Sequence, residues 1–377
     1  MHIFLPVAHT ASGEKMMKKL CFRAAAAILA AVLLYPSSAA AISADKAILV
    51  DAQTGRILYQ RRIDERSLIA STTKIMTGLI VCQQCNVLDR LQIPQEAVGV
   101  EGSSMYLQAG EVLTVQELLY GLMLSSGNDA AMALAIYCGG TVEGFAQLMN
   151  DKARFLGLKN THFVNPHGLD APDHYSTARD LAILAAYAMQ DPIFAQTVST
   201  KTVRVGQRTL QNHNKLLWTV EGADGVKTGY TRAAGRILVS SAKCQGRRLI
   251  CVTIDDREDW VDHKRLLEDG FSCYHLMNLV EKGQILGYRA VFGGQQSRVP
   301  LVAAEDFSYP LAQHEQVSIR IEPGEFVYAP VVRGAQGPFA YVCIDGAPVG
   351  KIPLFFGDTV EQQRTEKKGL LKRLFGG

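Results

Sequence analysis

Apolar and polar positions alternate over residues 47–59 on both sides of Asp51-Ala52-Gln53-Thr54-Gly55. Alternation around a turn-forming cluster predicts a β-hairpin. The spacing then changes. Ile75, Met76, Leu79 and Ile80 recur at helical intervals and predict a helix over residues 71–82. Two further helices are expected, over residues 115–124 and over the alanine-rich stretch 129–137, with Ser125-Ser126-Gly127-Asn128 as a polar loop between them. Alternation returns over residues 202–210, read as one strand, and over residues 236–242 and 248–254, a strand pair turning at Gln245-Gly246. Strands at both ends of a helical middle predict an α+β or α/β domain whose terminal strands share one sheet. From Tyr288 onward, short apolar runs such as 327–332 and 339–344 are separated by Gly and Pro, the texture of a small β-rich module. The expected division is residues 42–283 for the first domain, 284–358 for the second and 359–377 for a tail.

Both ends carry targeting signals. Lys18, Lys19 and Arg23 precede an apolar run over residues 24–34 that closes on Ala39-Ala40-Ala41. Residues 1–41 therefore read as a secretory signal peptide, the apolar run being shorter than the roughly 20 residues a membrane span needs. At the other end, Lys367-Lys368-Gly369-Leu370-Leu371-Lys372-Arg373-Leu374-Phe375 places apolar residues beside basic ones, a pattern suited to the surface of an anionic membrane.

Composition narrows the function. The 377 residues are 48% hydrophobic and 20% charged, with a net charge of +3. That supports a sizeable core and, with no Lys/Arg run to neutralise phosphates, no nucleic-acid partner. Of eight cysteines, Cys21 leaves with the signal peptide, and the remaining odd number cannot pair completely. Cys82 and Cys85 form a C-x-x-C without the second half of a metal site, and read as a local disulfide or two thiols at a helix end.

The chemistry concentrates in three motifs. Ser71-Thr72-Thr73-Lys74 sets a hydroxyl and an amine at i and i+3, on one helical face. A serine is a nucleophile only when a base takes its proton, and a lysine can do so only when neutral, a state favoured by burial and by a second cation nearby. Alone, S-x-x-K recurs by chance. Here Ser126-Gly127-Asn128 and then Lys227-Thr228-Gly229 follow it in order, which completes the signature of penicillin-binding proteins and class A β-lactamases.

With Ser126-Gly127-Asn128-Asp129-Ala130, Asn165-Pro166-His167-Gly168-Leu169-Asp170 and Lys227-Thr228-Gly229-Tyr230-Thr231, the chain resembles the low-molecular-mass D-alanyl-D-alanine carboxypeptidases over roughly residues 47–274. The resemblance implies a penicillin-binding/β-lactamase-like α/β domain, its sheet flanked by a helical subdomain, a small β-rich second domain and a membrane-resting amphipathic tail. It implies attack by Ser71 on the carbonyl between two terminal D-alanines of a peptidoglycan stem peptide, with Lys74 as base and Ser126 relaying the proton. Asn128, Lys227, Thr228, Gly229 and Tyr230 would bind substrate, Ser71 and Tyr230 offering oxyanion-binding amides. His167 would hold its loop, and Arg257 offers a fork for the substrate carboxylate. The motif Ser126-Gly127-Asn128 has glycine where class A β-lactamases usually have aspartate, and their deacylating glutamate has no clear counterpart here. β-Lactams are accordingly expected to trap the protein. No metal or cofactor is required, and a monomer is expected.

Overall fold

The computed structural model describes residues 42–324 and 326–364. The expected signal segment and the tail from residue 365 lie outside the described residues. Strands β1 (Lys46–Asp51) and β2 (Ile57–Arg61) form the first hairpin. Asp51 shapes its turn: Oδ1 accepts from the Thr54 amide at 2.9 Å and the Thr54 hydroxyl at 2.8 Å, and Gly55 takes φ 71°, as local Asx chemistry favours. Beyond the helices come β3 (Ala223–Thr231), β4 (Gly235–Cys244) and β5 (Arg247–Ile254). The two groups join in one antiparallel sheet of order β2-β1-β5-β4-β3, as expected of strands flanking a helical middle. Gln245 and Gly246 both take positive φ between β4 and β5, the geometry a tight hairpin requires.

A 3₁₀ turn, Ala70–Thr73, leads into α1 (Lys74–Gln84). The expected single helix from residue 71 is thus tightened at its start, and in a 3₁₀ turn side chains at i and i+3 eclipse one another. Helix α1 is buried around its whole circumference from Lys74 to Cys82, with Ile75, Met76, Leu79, Ile80 and Val81 all at 0% exposure. Helices α2 (Val115–Met123), α3 (Asn128–Gly139), α4 (Val142–Phe155), α5 (Ala178–Ala188) and α6 (Pro192–Ser199) complete the helical middle. The sheet divides its side chains by parity. Ile48, Val50, Ile250 and Val252 join the core shared with α1 and α5. Leu49 and Leu249 turn instead to α7 (Asp259–Cys273), which approaches so closely that a Cβ on Gly270 would come within 2.6 Å of Leu49.

One strand reading changes. Residues 202–210 form not one strand but a hairpin, Thr202–Val205 paired with Arg208–Gln211 around Gly206 at φ 57°. The turn is so short that the alternation runs through it unbroken.

The β-rich part begins where α7 ends. Strand β6 (Tyr274–Val280) pairs with β9 (Phe307–Ala312). Strands β7 (Ile285–Phe292), β8 (Arg298–Ala303), β10 (Val317–Ile321), β11 (Val327–Tyr328), β12 (Gln336–Ile344) and β13 (Ala347–Phe356) form a sheet of order β10-β12-β13-β8-β7-β11. Gly283, the expected division point, falls in the turn between β6 and β7. Arg247 ties the two parts together. Its side chain bonds the buried Asp51 carboxylate at 2.6 Å and the Tyr274 carbonyl at 2.6 Å, while Arg56 pairs with Glu315 and lies over the rings of Tyr274 and Tyr309.

Candidate active site

The Ser71 turn lies at the buried entry to α1, held from several sides. Ala70, just before it, takes φ 44°, a left-handed conformation that costs a non-glycine residue on the order of 1 kcal/mol or more. Gly168 packs beneath that turn: a Cβ there would stand 1.9 Å from the Ala70 carbonyl oxygen. Strand β3 passes above it, where a Cβ on Gly229 would meet the Thr72 amide at 3.2 Å. His174 locks the next residue. Its Nδ1 accepts from the Val164 amide, leaving Nε2–H to donate to Thr73 Oγ1 at 2.8 Å.

Lys74 is fully buried at 0% exposure, and its Nζ touches three oxygens: Ser71 Oγ at 2.9 Å, Asn128 Oδ1 at 2.6 Å and the His167 carbonyl at 2.8 Å. The last two can only accept, because the Asn128 amide nitrogen is spent on the Glu101 carbonyl. A neutral amine satisfies both with its two N–H groups and turns its lone pair on the one partner able to donate, the Ser71 hydroxyl. Burial holds the Lys74 pKa well below the ordinary lysine range, and the charge of Lys227 presses in the same direction, against a weaker opposing pull from Asp129. An amine whose charged form is disfavoured thus lies within hydrogen-bond reach of a hydroxyl.

Lys227, on β3, is buried too, and desolvation lowers its pKa to about 7. Its Nζ donates to the Thr228 carbonyl at 2.9 Å. Ser71, Ser126, Thr228, Gly229 and Tyr230 line one cleft of about 300 Å³ together with Ser103, His213, Arg236 and Trp260. Ser126 is held there at φ 59°. Of the eight residues expected to catalyse or bind substrate, five thus line the cleft wall, and Lys74, Asn128 and Lys227 are buried beside them in sequence or by contact. Tyr230 keeps its ring exposed. Arg257 stands exposed in the approach to α7 and is not among the cleft-lining residues; Arg236 is, forked onto Asp259 at 2.7 Å.

Several further residues of the resembling stretches shape the site. The Asp129 carboxylate accepts from Ser104 Oγ at 2.6 Å and from the Met105 and Leu107 amides at 3.1 and 3.0 Å, pinning the loop over 103–107 to the start of α3. The His167 carbonyl accepts from Lys74, while burial pushes the His167 ring pKa down to about 4. Asn165 folds the His167 loop by accepting from the Gly168 amide at 2.7 Å, and Asp170 ties that loop to β3 through Thr231 at 3.0 Å. Asp129, Asn165 and Asp170 lay within recognisable stretches; their contacts, like that between Thr73 and His174, left no local signal. Ser103 and His213 also border a neighbouring groove of about 990 Å³ that includes Tyr106 and Trp218.

A hydroxyl against a desolvated lysine, with a second buried lysine on a cleft-lining strand, is the layout of a serine acyl-transfer enzyme of the penicillin-binding fold. Residues 35–258 match the D-alanyl-D-alanine carboxypeptidase family, and residues 274–362 match the C-terminal domain of penicillin-binding protein 5. The chain is 33% identical to D-alanyl-D-alanine carboxypeptidase DacF of Bacillus subtilis, over 84% of this chain and 86% of that protein. It is 35% identical to DacA of Haemophilus influenzae, over 78% and 79% of the two chains. Among solved structures, penicillin binding protein 5 from Haemophilus influenzae superposes with a TM-score of 0.73 at 32% identity, covering 85% of this chain and 98% of the other. The chain belongs to the D-alanyl-D-alanine carboxypeptidase family.

Proposed function

We propose that the protein is a serine carboxypeptidase that removes the terminal D-alanine from peptidoglycan stem pentapeptides through an acyl-enzyme on Ser71. The observation that carries this reading is the buried Lys74 amine, 2.9 Å from Ser71 Oγ and otherwise bonded only to acceptors. As Ser71 attacks the carbonyl between the two D-alanines, its proton passes to Lys74. The tetrahedral oxyanion is met by the Ser71 and Tyr230 amides, donors each worth about a hundredfold or more in rate. Ser126 relays the proton held by Lys74 to the departing amine, and D-alanine leaves. Water then hydrolyses the ester. Lys227 and Thr228 attract the terminal carboxylate, Asn128 holds the peptide group and keeps Lys74 aimed at Ser71, and Gly229 lets β3 lie against the nucleophile's turn.

Binding of the stem peptide along the neighbouring groove, covalent trapping by β-lactams and action as a monomer belong to the same proposal. So does an extracytoplasmic location in the cell envelope, reached through cleavage of residues 1–41, with the basic stretch over 367–375 resting on the membrane. The test is labelling of the mature protein with a fluorescent penicillin, alongside Ser71→Ala, followed by a D-alanine release assay on a pentapeptide. Labelling abolished by Ser71→Ala together with D-alanine release is the expected result. Labelling without release would turn the reading towards an endopeptidase or a sensor, and no labelling of folded protein would overturn it.

A further inference from the structure

The proposed mechanism uses no cysteine, yet two of them meet. Cys85 caps the end of α1 and Cys138 lies in the last turn of α3. Their sulfurs are 2.8 Å apart, within about 1 Å of the ~2.05 Å length of a disulfide bond. Both side chains are half-buried, so a redox partner can reach them from solvent. Cys82, the other half of the C-x-x-C, is only 9% exposed and belongs to the core around α1. The local pairing that the sequence left open is thus displaced by one across the helical middle.

We propose that Cys85 and Cys138 form a disulfide in the exported protein, strapping the helix that starts at Lys74 to the helix that starts at Asn128. The proposal rests on the extracytoplasmic reading, because thiols in the cytoplasm stay reduced. The oxidant is a dithiol–disulfide exchange protein of the envelope. The Cys138 thiolate attacks that oxidant's disulfide and expels one of its thiolates; Cys85 then loses its proton to solvent, attacks the Cys138 sulfur of the mixed disulfide and expels the second thiolate. Two thiols thereby give up two electrons and two protons, and the oxidant's disulfide becomes a dithiol. The neighbouring Cys85 S–H holds the Cys138 thiol below the ordinary range, which suits Cys138 to the first attack.

The closed loop, from residue 85 to 138, contains Glu101, Ser103, Ser126 and Asn128. Cross-linking its ends narrows the unfolded ensemble. It also opposes any local opening that would separate α1 from α3 and break the 2.6 Å contact between Lys74 and Asn128. Neither sulfur touches the cleft, so the strap acts on the endurance of the site and not on its chemistry.

The experiment uses full-length protein expressed with its own leader, recovered from the envelope without reductant, alkylated and digested under non-reducing conditions. Mass spectrometry is expected to find the Cys85 and Cys138 peptides linked and parted by reduction. Both cysteines alkylated in the native sample, or Cys85 linked to Cys82, would overturn the proposal. Melting of the same sample is expected to drop by roughly 5–15 °C with dithiothreitol, while a Cys85→Ala/Cys138→Ala variant melts at one temperature with and without it. An equal drop in that variant would overturn the strap. Penicillin labelling of Ser71 in the same preparation reads the proposed activity separately from the state of the cysteines.

Discussion

The two parts of the chain place charge in opposite ways. Up to α7, the protein buries Lys74, Lys227, Asp129, His174 and His263, and holds Ala70 and Ser126 in left-handed conformations. From Tyr274 onward, every fully buried side chain among the described residues is apolar, in clusters built on Val280, Leu301, Val342, Ile352 and Leu354, and on Val291, Val299, Val331 and Val360. Unsolvated charge is costly and strained backbone adds to the cost. The first part bears both around Ser71 and Lys74, whereas the buried side chains of the second are apolar. The contrast separates a region shaped by chemistry from one shaped by folding.

Ser71→Ala tests the contrast most severely. Stopped-flow acylation by penicillin should fall by about 10⁴ or more, with the melting temperature nearly unchanged; retained acylation would remove the nucleophile from the account. Lys74→Arg comes next, at about 10²–10⁴ in acylation rate. A guanidinium cannot give up its proton, so restoring the charge should not restore the rate.

Lys227→Met separates cost from use. The folded pKa of Lys227 is about 7 against an ordinary 10.5. Below pH 7 both folded and unfolded chains hold the proton, and the folded state bears the full burial penalty. Between pH 7 and about 10.5 the unfolded chain binds more protons, so stability rises with pH until the penalty is gone. Methionine should therefore raise stability at neutral pH by on the order of a few kcal/mol, flatten that pH dependence and weaken substrate binding, all read by thermal melts beside KM.

Acid works on the same region. Burial lowers the pKa of His167 and His174 to about 4 and of His263 to about 3. Because the unfolded chain takes up these protons first, stability should be lost as pH falls from about 6.5 to 4. Both tryptophans, Trp218 and Trp260, lie before Tyr274, so their fluorescence should report this loss selectively. The smallest effect on catalysis belongs to Leu301→Ala. It should destabilise the β-rich part by about 2–5 kcal/mol and leave acylation of the folded protein as it was; a changed rate would show that the second region reaches the site after all.

Much of this was legible in the chain. The hairpin at Asp51, the strand pair turning at Gln245-Gly246 and the helices around Ser126 follow from period-2 and period-3.6 patterns, and the three motifs are short enough to survive as text. The hairpin at Gly206 escaped because a two-residue turn leaves alternation intact. Asp129, His174 and the Cys85–Cys138 meeting escaped for another reason: each acts on a segment far away in sequence, and no local pattern records which segments will touch.

The sequence by itself determined the first hairpin, the strand pair at Gln245-Gly246 and the helices on either side of Ser126, that Ser71 and Lys74 share a face, and which motifs accompany them. The tertiary structure alone decided the surroundings of the lysine. Burial and the nearby Lys227 charge hold its pKa well below the ordinary range, and desolvation and Coulomb forces act through space, where only the folded chain sets the distances.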